Sequence, residues 1–262
     1  MTSAHNPNRL TNSHNFAIIL QLVKGDFKLR YQNSYLGYLW TLFKPLMLFG
    51  VIYLVFSEFF KNPMHNYSIY LLLGIVIWTF FSEATLVGMN SLISKRDLIT
   101  KIFFRRENII IASVTSSLIT LGLNLIIFAV FMFAAGLLPG VNSLVFLLYI
   151  PLLFLFTCGV TFFLATLYSR FHDLGHIWEV ILQVLFWLTP IVYDLSFVPE
   201  SYRQLLYLNP LTQFISYSRK IFLINELPSL KQHFILILVS LLSFALGYWY
   251  FKRNEHHIAE TI

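Results

Sequence analysis

From Ile109 to Leu138 the chain carries no charged residue. A hydrocarbon core about 30 Å thick takes roughly 20 helical residues to cross, and backbone polar groups inside it must find partners within the protein. Such a run dictates a helix, and places it in a bilayer. Comparable apolar runs stand near residues 39–60, 69–93, 144–169, 177–193 and 233–251, which predicts six spans. Of the 262 residues, 57% are hydrophobic, 18% aromatic and 11% charged, where a soluble domain has roughly 25% charged. A disordered chain is thereby excluded and a soluble one disfavoured. The run at 177–193 is the weakest, because Glu179 and Gln183 interrupt it and Thr189-Pro190 breaks regular helix. It is expected to kink there or turn back.

Orientation follows from the cations. With both ends inside, Arg9, Lys24, Lys28, Arg30, Lys95, Arg96, Lys101, Arg105, Arg106, Arg170, Lys252 and Arg253 fall on the cytoplasmic side. They outnumber Lys61, Arg203, Arg219, Lys220 and Lys231 outside, as the positive-inside rule requires. The net charge of +6 thus reads as cytoplasmic loops rather than a nucleic-acid groove. Met1 to Asn15 lack the apolar core of a signal peptide and Phe16 to Val23 are too few to span, so the N-terminus is expected to stay in the cytoplasm. The single cysteine, Cys158, sits in an apolar run and is expected to pack as a small hydrophobe.

Three segments are not simple spans. Phe16, Leu20, Val23, Phe27, Tyr31 and Tyr35 recur at steps of three and four, with Gln21, Lys24, Lys28 and Gln32 between them. This predicts an amphipathic helix at the cytoplasmic membrane surface, either a mere anchor or a dock for a cytoplasmic partner. The loop from Ser94 to Glu107 mixes five basic residues with Leu98, Ile99, Ile102, Phe103 and Phe104. Either it is a charged hairpin that satisfies topology or a short helix inserts into a groove on another protein, with Leu98 and Ile102 on one face. Between Asp194 and Gln232, Pro199, Pro210 and Pro228 bracket two apolar stretches, 201–209 and 211–226. These predict two short helices that dip into the outer leaflet or cap a pore, since re-entrant backbone survives only where protein or a hydrated cavity receives it.

Chemistry of the chain's own is hard to find. His172, Asp173 and His176 cluster in a short loop that reads more readily as a polar turn than as a metal site. No His-Glu-x-x-His or Gly-x-Ser-x-Gly motif occurs, and no glycine precedes a lysine as a phosphate loop requires. If ATP drives the protein, another chain hydrolyses it. Glu83, near the middle of the second span, is expected to face a pore, a partner helix or water, or else to be a protonated structural acid, because a charge in hydrocarbon costs about 3 kcal/mol or more.

Several motifs in fixed order carry a family resemblance. They are Arg30-Tyr31-x-x-Ser34-x-Leu36-Gly37-x-Leu39-Trp40 with Pro45, Gly74-x-x-x-Trp78-x-Phe80-Phe81-Ser82-Glu83 with Gly88, and Asn90-Ser91-Leu92-Ile93 followed by Leu98-Ile99-x-Lys101-Ile102-x-Phe104. Further on come Arg170-Phe171-x-Asp173-Leu174 with Trp178, Phe186-Trp187-x-Thr189-Pro190-Ile191-x-Tyr193, Val198-Pro199 and Asn209-Pro210-Leu211. Together they resemble the permease subunit of type-2 ABC transporters that export polysaccharides such as O-antigen, capsule and teichoic acid. One departure is Arg105, which stands where such permeases usually have proline.

The resemblance implies an all-α integral membrane protein of the cytoplasmic membrane. It would comprise a cytoplasmic segment 1–38 with an interface helix, a six-span domain 39–251 and a cytoplasmic tail 252–262. It implies a homodimer bound to two copies of an ATP-binding ATPase subunit that holds ATP and Mg, while this chain binds no cofactor. A lipid-linked glycan would pass through a channel at the dimer interface, surrounded by membrane lipid. Segment 94–108 would be the coupling loop and 194–232 the outer gate region. By the same resemblance Lys24, Lys28, Leu98, Lys101, Ile102, Arg106 and Glu107 would dock the ATPase. Arg30, Tyr31 and Lys44 would sit at the substrate entrance, where cations attract a diphosphate. Trp40, Trp78, Glu83 and Tyr193 would line the channel or dimer interface, and Pro190, Asn209 and Pro210 the outer gate. The alternatives are a type-2 exporter of drugs or lipids and, from another class, a membrane enzyme handling glycans.

Overall fold

The computed structural model describes residues 12–31, 37–59, 64, 66–101 and 105–261. Among them every regular element is helical. α1 runs Asn12–Tyr31, α2 Trp40–Tyr53, α3 Tyr67–Ser94, α4 Arg96–Lys101 and α5 Glu107–Ala134. α6 follows at Phe146–Tyr168, α7 at Leu174–Leu188, α8 at Glu200–Tyr207, α9 at Pro210–Leu223 and α10 at Leu230–Thr261. A π-helical stretch, Leu54–Phe59, prolongs α2.

Five helices are long and apolar enough to cross a membrane, namely Trp40–Ser57, Tyr67–Ser94, Glu107–Ala134, Val141–Tyr168 and Leu230–His256. The segment expected to be the fifth of six spans behaves differently: its helix stops at Leu188 after 15 residues, about 22 Å at 1.5 Å per residue and short of a ~30 Å core. The reason is local. Thr189 precedes proline and takes extended backbone, φ −89 and ψ 132, because a proline ring excludes helical geometry from the residue before it.

α3 is the central mast. In its apolar window 72% of residues are buried, against 22% in those of α2 and α10, so the latter two present most of their surface outward. α3 packs on α5, α6, α2, α9 and α7, and Leu71, Leu73 and Ile75 have no exposed surface. Lipid supplies no hydrophobic drive between helices, so close crossings rest on small residues. A Cβ on Gly88 would collide with Thr161, and one on Gly159 or Gly247 with the backbone of the facing helix. α6 and α10 meet at those two glycines, with Ser243 Oγ donating to the Phe156 carbonyl at 3.1 Å. Buried hydroxyls in this core bond the preceding helical turn, as with Thr157 to Leu153 O and Thr161 to Thr157 O, the usual way to carry a hydroxyl through apolar surroundings.

The two ends of the bundle are closed differently. At the end holding the C-termini of α3, α6 and α10, charged side chains pair across helices. Lys95 donates to Asp26 of α1, and Ser113 of α5 reaches the same carboxylate at 3.4 Å. Glu107 opens α5 and is 5% exposed; Lys252 of α10 donates to it at 2.9 Å and to Glu255 at 3.0 Å. Arg106 donates to the Glu255 carbonyl at 2.9 Å, and Arg170 to Asn254 Oδ1 at 2.9 Å. Cys158 is fully buried. α1 buries Val23, packs Leu22 against the core and pairs Asp26 with Lys95, while Leu20 is exposed; the side chains of Phe16, Phe27 and Tyr31, and Tyr35 entirely, lie outside the described residues.

Candidate functional site

α7 runs antiparallel along α3. Trp178 Nε1 donates to Thr85 Oγ1 at 3.1 Å, the Phe186 and Trp78 rings meet edge to face at 5.7 Å, and Tyr70 donates to the Tyr193 carbonyl at 2.9 Å. Between α7, α3 and α2 lies an open groove of about 620 Å³, lined by Leu48, Trp78, Ser82, Glu179, Gln183, Phe186 and Trp187 among others, within the size range of ligand clefts. Its walls are aromatic and aliphatic, and three short polar groups interrupt them.

On either side of the groove, among the described residues, an apolar face is exposed. α2 exposes Trp40, Phe43, Met47, Val51 and Leu54, one stripe at helical spacing. α7 exposes Ile177, Val180, Val184 and Trp187, a second such stripe. The expected channel residues are therefore divided. Trp78 lines the groove and Trp40 stands on the α2 stripe. Glu83, next to the groove residue Ser82, is half-buried and engaged. Lys44 is exposed on the α2 stripe, one turn beyond Trp40. The side chains of Arg30 and Tyr31 lie outside the described residues.

Tyr193 has another role. Where α7 ends, each carbonyl from Trp187 to Tyr193 has a donor. The Tyr193 hydroxyl donates to Trp187 O at 3.1 Å and to Leu188 O at 3.4 Å, and Ile191 N to Thr189 O at 2.6 Å. Arg219 of α9 donates Nη1 to Pro190 O and Nη2 to Ile191 O, the latter at 2.7 Å. Tyr67 donates to Val192 O at 3.0 Å, and Tyr70 closes the series at Tyr193. Non-helical backbone at membrane depth requires this kind of complete accounting. Arg219 also donates Nε to Tyr70 O at 3.1 Å, and its guanidinium lies 3.3 Å over the Tyr70 ring, a favourable place for a desolvated cation. Gly74 makes room for it, since a Cβ there would lie 2.6 Å from Nη2.

The expected gate residues join this knot. Asn209 donates Nδ2 to Thr189 Oγ1 at 2.9 Å while its Oδ1 accepts from Leu211 N at 3.0 Å, capping α9. Pro210 occupies the first turn of α9, where its missing N–H costs nothing, and Pro190 offers its carbonyl to Arg219. α8 leads into Asn209 with Tyr202 and Leu205 exposed, and Leu208 exposed just beyond its end.

At the opposite end Lys24 and Lys28 are exposed on α1, and Leu98 is half-buried on α4 beside Ile99, which packs against the core. Lys101 ends α4; its side chain, and Ile102 entirely, fall outside the described residues. Arg106 and Glu107 turn inward to α10. Sequence reasoning missed Arg219, Tyr67, Tyr70, Asp26 and Lys252. One signal for Arg219 was available: it shares helical spacing with Leu211, Ile215 and Phe222 and so falls on the apolar face of α9.

The spans and the groove make the chain a multi-pass membrane protein. It belongs to the ABC-2 type transporter family, whose model matches residues 18–223. The chain is 29% identical over 247 residues to the O-antigen export system permease protein RfbA of Myxococcus xanthus, covering 94% of this chain and 95% of that one. With the protein of the same name from Klebsiella pneumoniae it shares 27% over 251 residues, again 94% and 95%. With the polysialic acid transport protein KpsM of Escherichia coli it shares 23% over 200 residues, 74% and 77%.

Proposed function

We propose that this chain is the permease subunit of an ATP-driven exporter that moves a lipid-linked surface polysaccharide across the cytoplasmic membrane. The observation that carries the reading is the groove between α2, α3 and α7, aromatic-walled, sparsely polar and flanked by two uncovered apolar stripes. Its support from relatives is the naming of full-length matches as O-antigen permeases. A sugar polymer needs a wet conduit that grips weakly, and aromatic faces with scattered Ser82, Glu179 and Gln183 suit it. Two copies joined along the α2 and α7 stripes would turn each half-groove into one wall of a channel, with Trp40, Trp78 and the Glu83 region inside it.

The sixth crossing is then made in two pieces, α7 and the carbonyl knot behind it. They follow α3 from Thr85 to Tyr67, about 27 Å of helix. Both termini lie in the cytoplasm, and the knot with α8 and α9 forms the outer gate. α4 and the exposed Lys24–Lys28 side of α1 meet a separate ATPase, two copies per dimer, which holds ATP and Mg; this chain has no phosphate loop. Arg106 and Glu107 brace that docking segment against α10, and Arg30, Tyr31 and Lys44 receive the anionic lipid carrier.

Deleting the gene and labelling the surface glycan of intact and permeabilised cells tests the reading. Glycan lost outside and accumulated inside is the expected result. Unchanged surface glycan would turn the assignment toward a drug or lipid exporter, and glycan absent from both compartments toward a biosynthetic enzyme.

A further inference from the structure

α6 and α10 cross so closely at Gly159 and Gly247 that their larger neighbours splay apart. The cleft left beside the crossing measures about 400 Å³ and is almost wholly apolar. Its floor is glycine backbone and Ser243, and its walls are Phe163, Trp249 and Tyr250, with the Phe163 and Tyr250 rings 4.9 Å apart. A cleft of this size and apolar character, beside α10 with only 22% of its span buried, fits a single hydrocarbon chain.

The next turn of each helix changes character. Arg253 and Asn254 lie three and four residues beyond Tyr250, on the same face, and Arg170 of the α6–α7 turn is held by Asn254. Arg253 sits 5.4 Å over the Trp249 ring, which is itself a wall of the cleft. Among the described residues neither arginine has a carboxylate within ion-pair distance, whereas Lys252 beside them is committed to Glu107 and Glu255. Arg253 thus borders the apolar cleft through Trp249, and Arg170 is held to the same turn of α10 through Asn254, at the end assigned to the cytoplasm. That is the charge and shape complement of a phosphate head on a hydrocarbon tail, and basic pockets between helices on this side of a membrane bind anionic headgroups.

We propose that the α6–α10 cleft binds one anionic glycerophospholipid of the inner leaflet, with an acyl chain against Gly159 and Gly247 and the phosphate between Arg170 and Arg253. The leaflet, though not the site, rests on the orientation given under Proposed function. The site is separate from the groove between α2, α3 and α7, since α10 packs on α6 and α9. A lipid wedged here would join the C-terminal end of α10, and with it the Glu107–Lys252 contact, to the composition of the membrane.

The test uses the full chain, purified and delipidated in detergent, and native mass spectrometry to count bound lipids during titration with phosphatidylglycerol or with phosphatidylethanolamine of the same acyl chains. Phosphatidylglycerol should saturate one tight site per chain and phosphatidylethanolamine should not. Arg170→Gln with Arg253→Gln should weaken that site about tenfold, as loss of charge-assisted hydrogen bonds would, and both side chains are exposed, so the fold should not suffer. Leu246→Trp, at an exposed position of the cleft wall, should weaken it through the tail instead. Equal binding of the two phospholipids, unchanged affinity in the double variant, or tighter binding of an isoprenyl phosphate than of phosphatidylglycerol would each overturn the assignment. Because no step reads transport, failure of the export assay and failure of this one are distinct.

Discussion

The two ends of the bundle solve one problem, how to fasten helices at the edge of a membrane, with different chemistry. At the end that holds the C-termini of α3, α6 and α10 the fasteners are side chain to side chain, Asp26 with Lys95 and Glu107 with Lys252. At the opposite end a single buried cation and three tyrosines, Tyr67, Tyr70 and Tyr193, hold main-chain carbonyls. A charge pair can be broken and remade or neutralised from both sides at once, whereas a carbonyl can be neither moved nor neutralised. A force applied at the first end therefore meets contacts that can be exchanged, whereas α3, the end of α7 and α9 are tied into one body by the carbonyl contacts.

The largest effect expected is at Arg219. Arg219→Ala leaves the carbonyls of Pro190 and Ile191 without donors in a buried place and takes the second donor from the helical carbonyl of Tyr70, and should lower stability by about 3–5 kcal/mol, as stranding buried acceptors does. Arg219→Lys should recover only part, since an ammonium lacks the planar fork that serves three acceptors. Thermal unfolding of purified protein in detergent gives both numbers. An alanine variant that unfolds within a degree of wild type would dissolve the claim that α3, the end of α7 and α9 are one body. Gly74→Ala should act in the same direction by about 1–3 kcal/mol, because its Cβ would press on Nη2.

Next comes the contrast itself. Lys252→Gln strands the buried Glu107 carboxylate and should cost about 2 kcal/mol. Adding Glu107→Gln removes both charges, and the double variant should be more stable than the single one, as buried pairs behave in mutant cycles. No second substitution should relieve Arg219→Ala. Additive losses at the Glu107–Lys252 pair would erase the distinction between the ends. A smaller loss, about 1 kcal/mol for one hydrogen bond, is expected for Tyr67→Phe, which takes the donor from Val192 O and leaves the ring in place.

How legible these features were depends on what each one leaves in the sequence. Charge-free runs announce spans directly, and Thr189-Pro190 announces where α7 stops. The two short helices between proline breaks were equally readable. The knot was not, because Arg219 answers to carbonyls, and carbonyls leave no complementary acidic residue in the chain to be noticed. It was counted instead as one more outer cation. Glu107 sat beside a basic loop and read as partner-facing, while the lysine that meets it lies 145 residues away. Gly74 and Gly88 stood in the motifs, but the reasons for them, Arg219 and Thr161, are visible only in three dimensions.

The smallest effect should come from Arg105, where the chain departs from the proline usual in permeases of this kind. Its guanidinium is 4.0 Å from Glu107 with a 58% exposed side chain, and Lys252 already makes the closer contact to that carboxylate. An exposed pair of this length contributes about 0.5 kcal/mol or less, and salt screens it. Arg105→Ala should therefore leave the unfolding midpoint nearly unchanged, and any difference should vanish on raising the salt concentration. The value of so small a number lies in what it isolates. If the same variant slows glycan export while stability holds, the arginine acts on another molecule, and this end of the bundle is where that molecule docks. If export and stability both stay at the wild-type level, the docking contact must be carried by α4 and the exposed lysines of α1 without it.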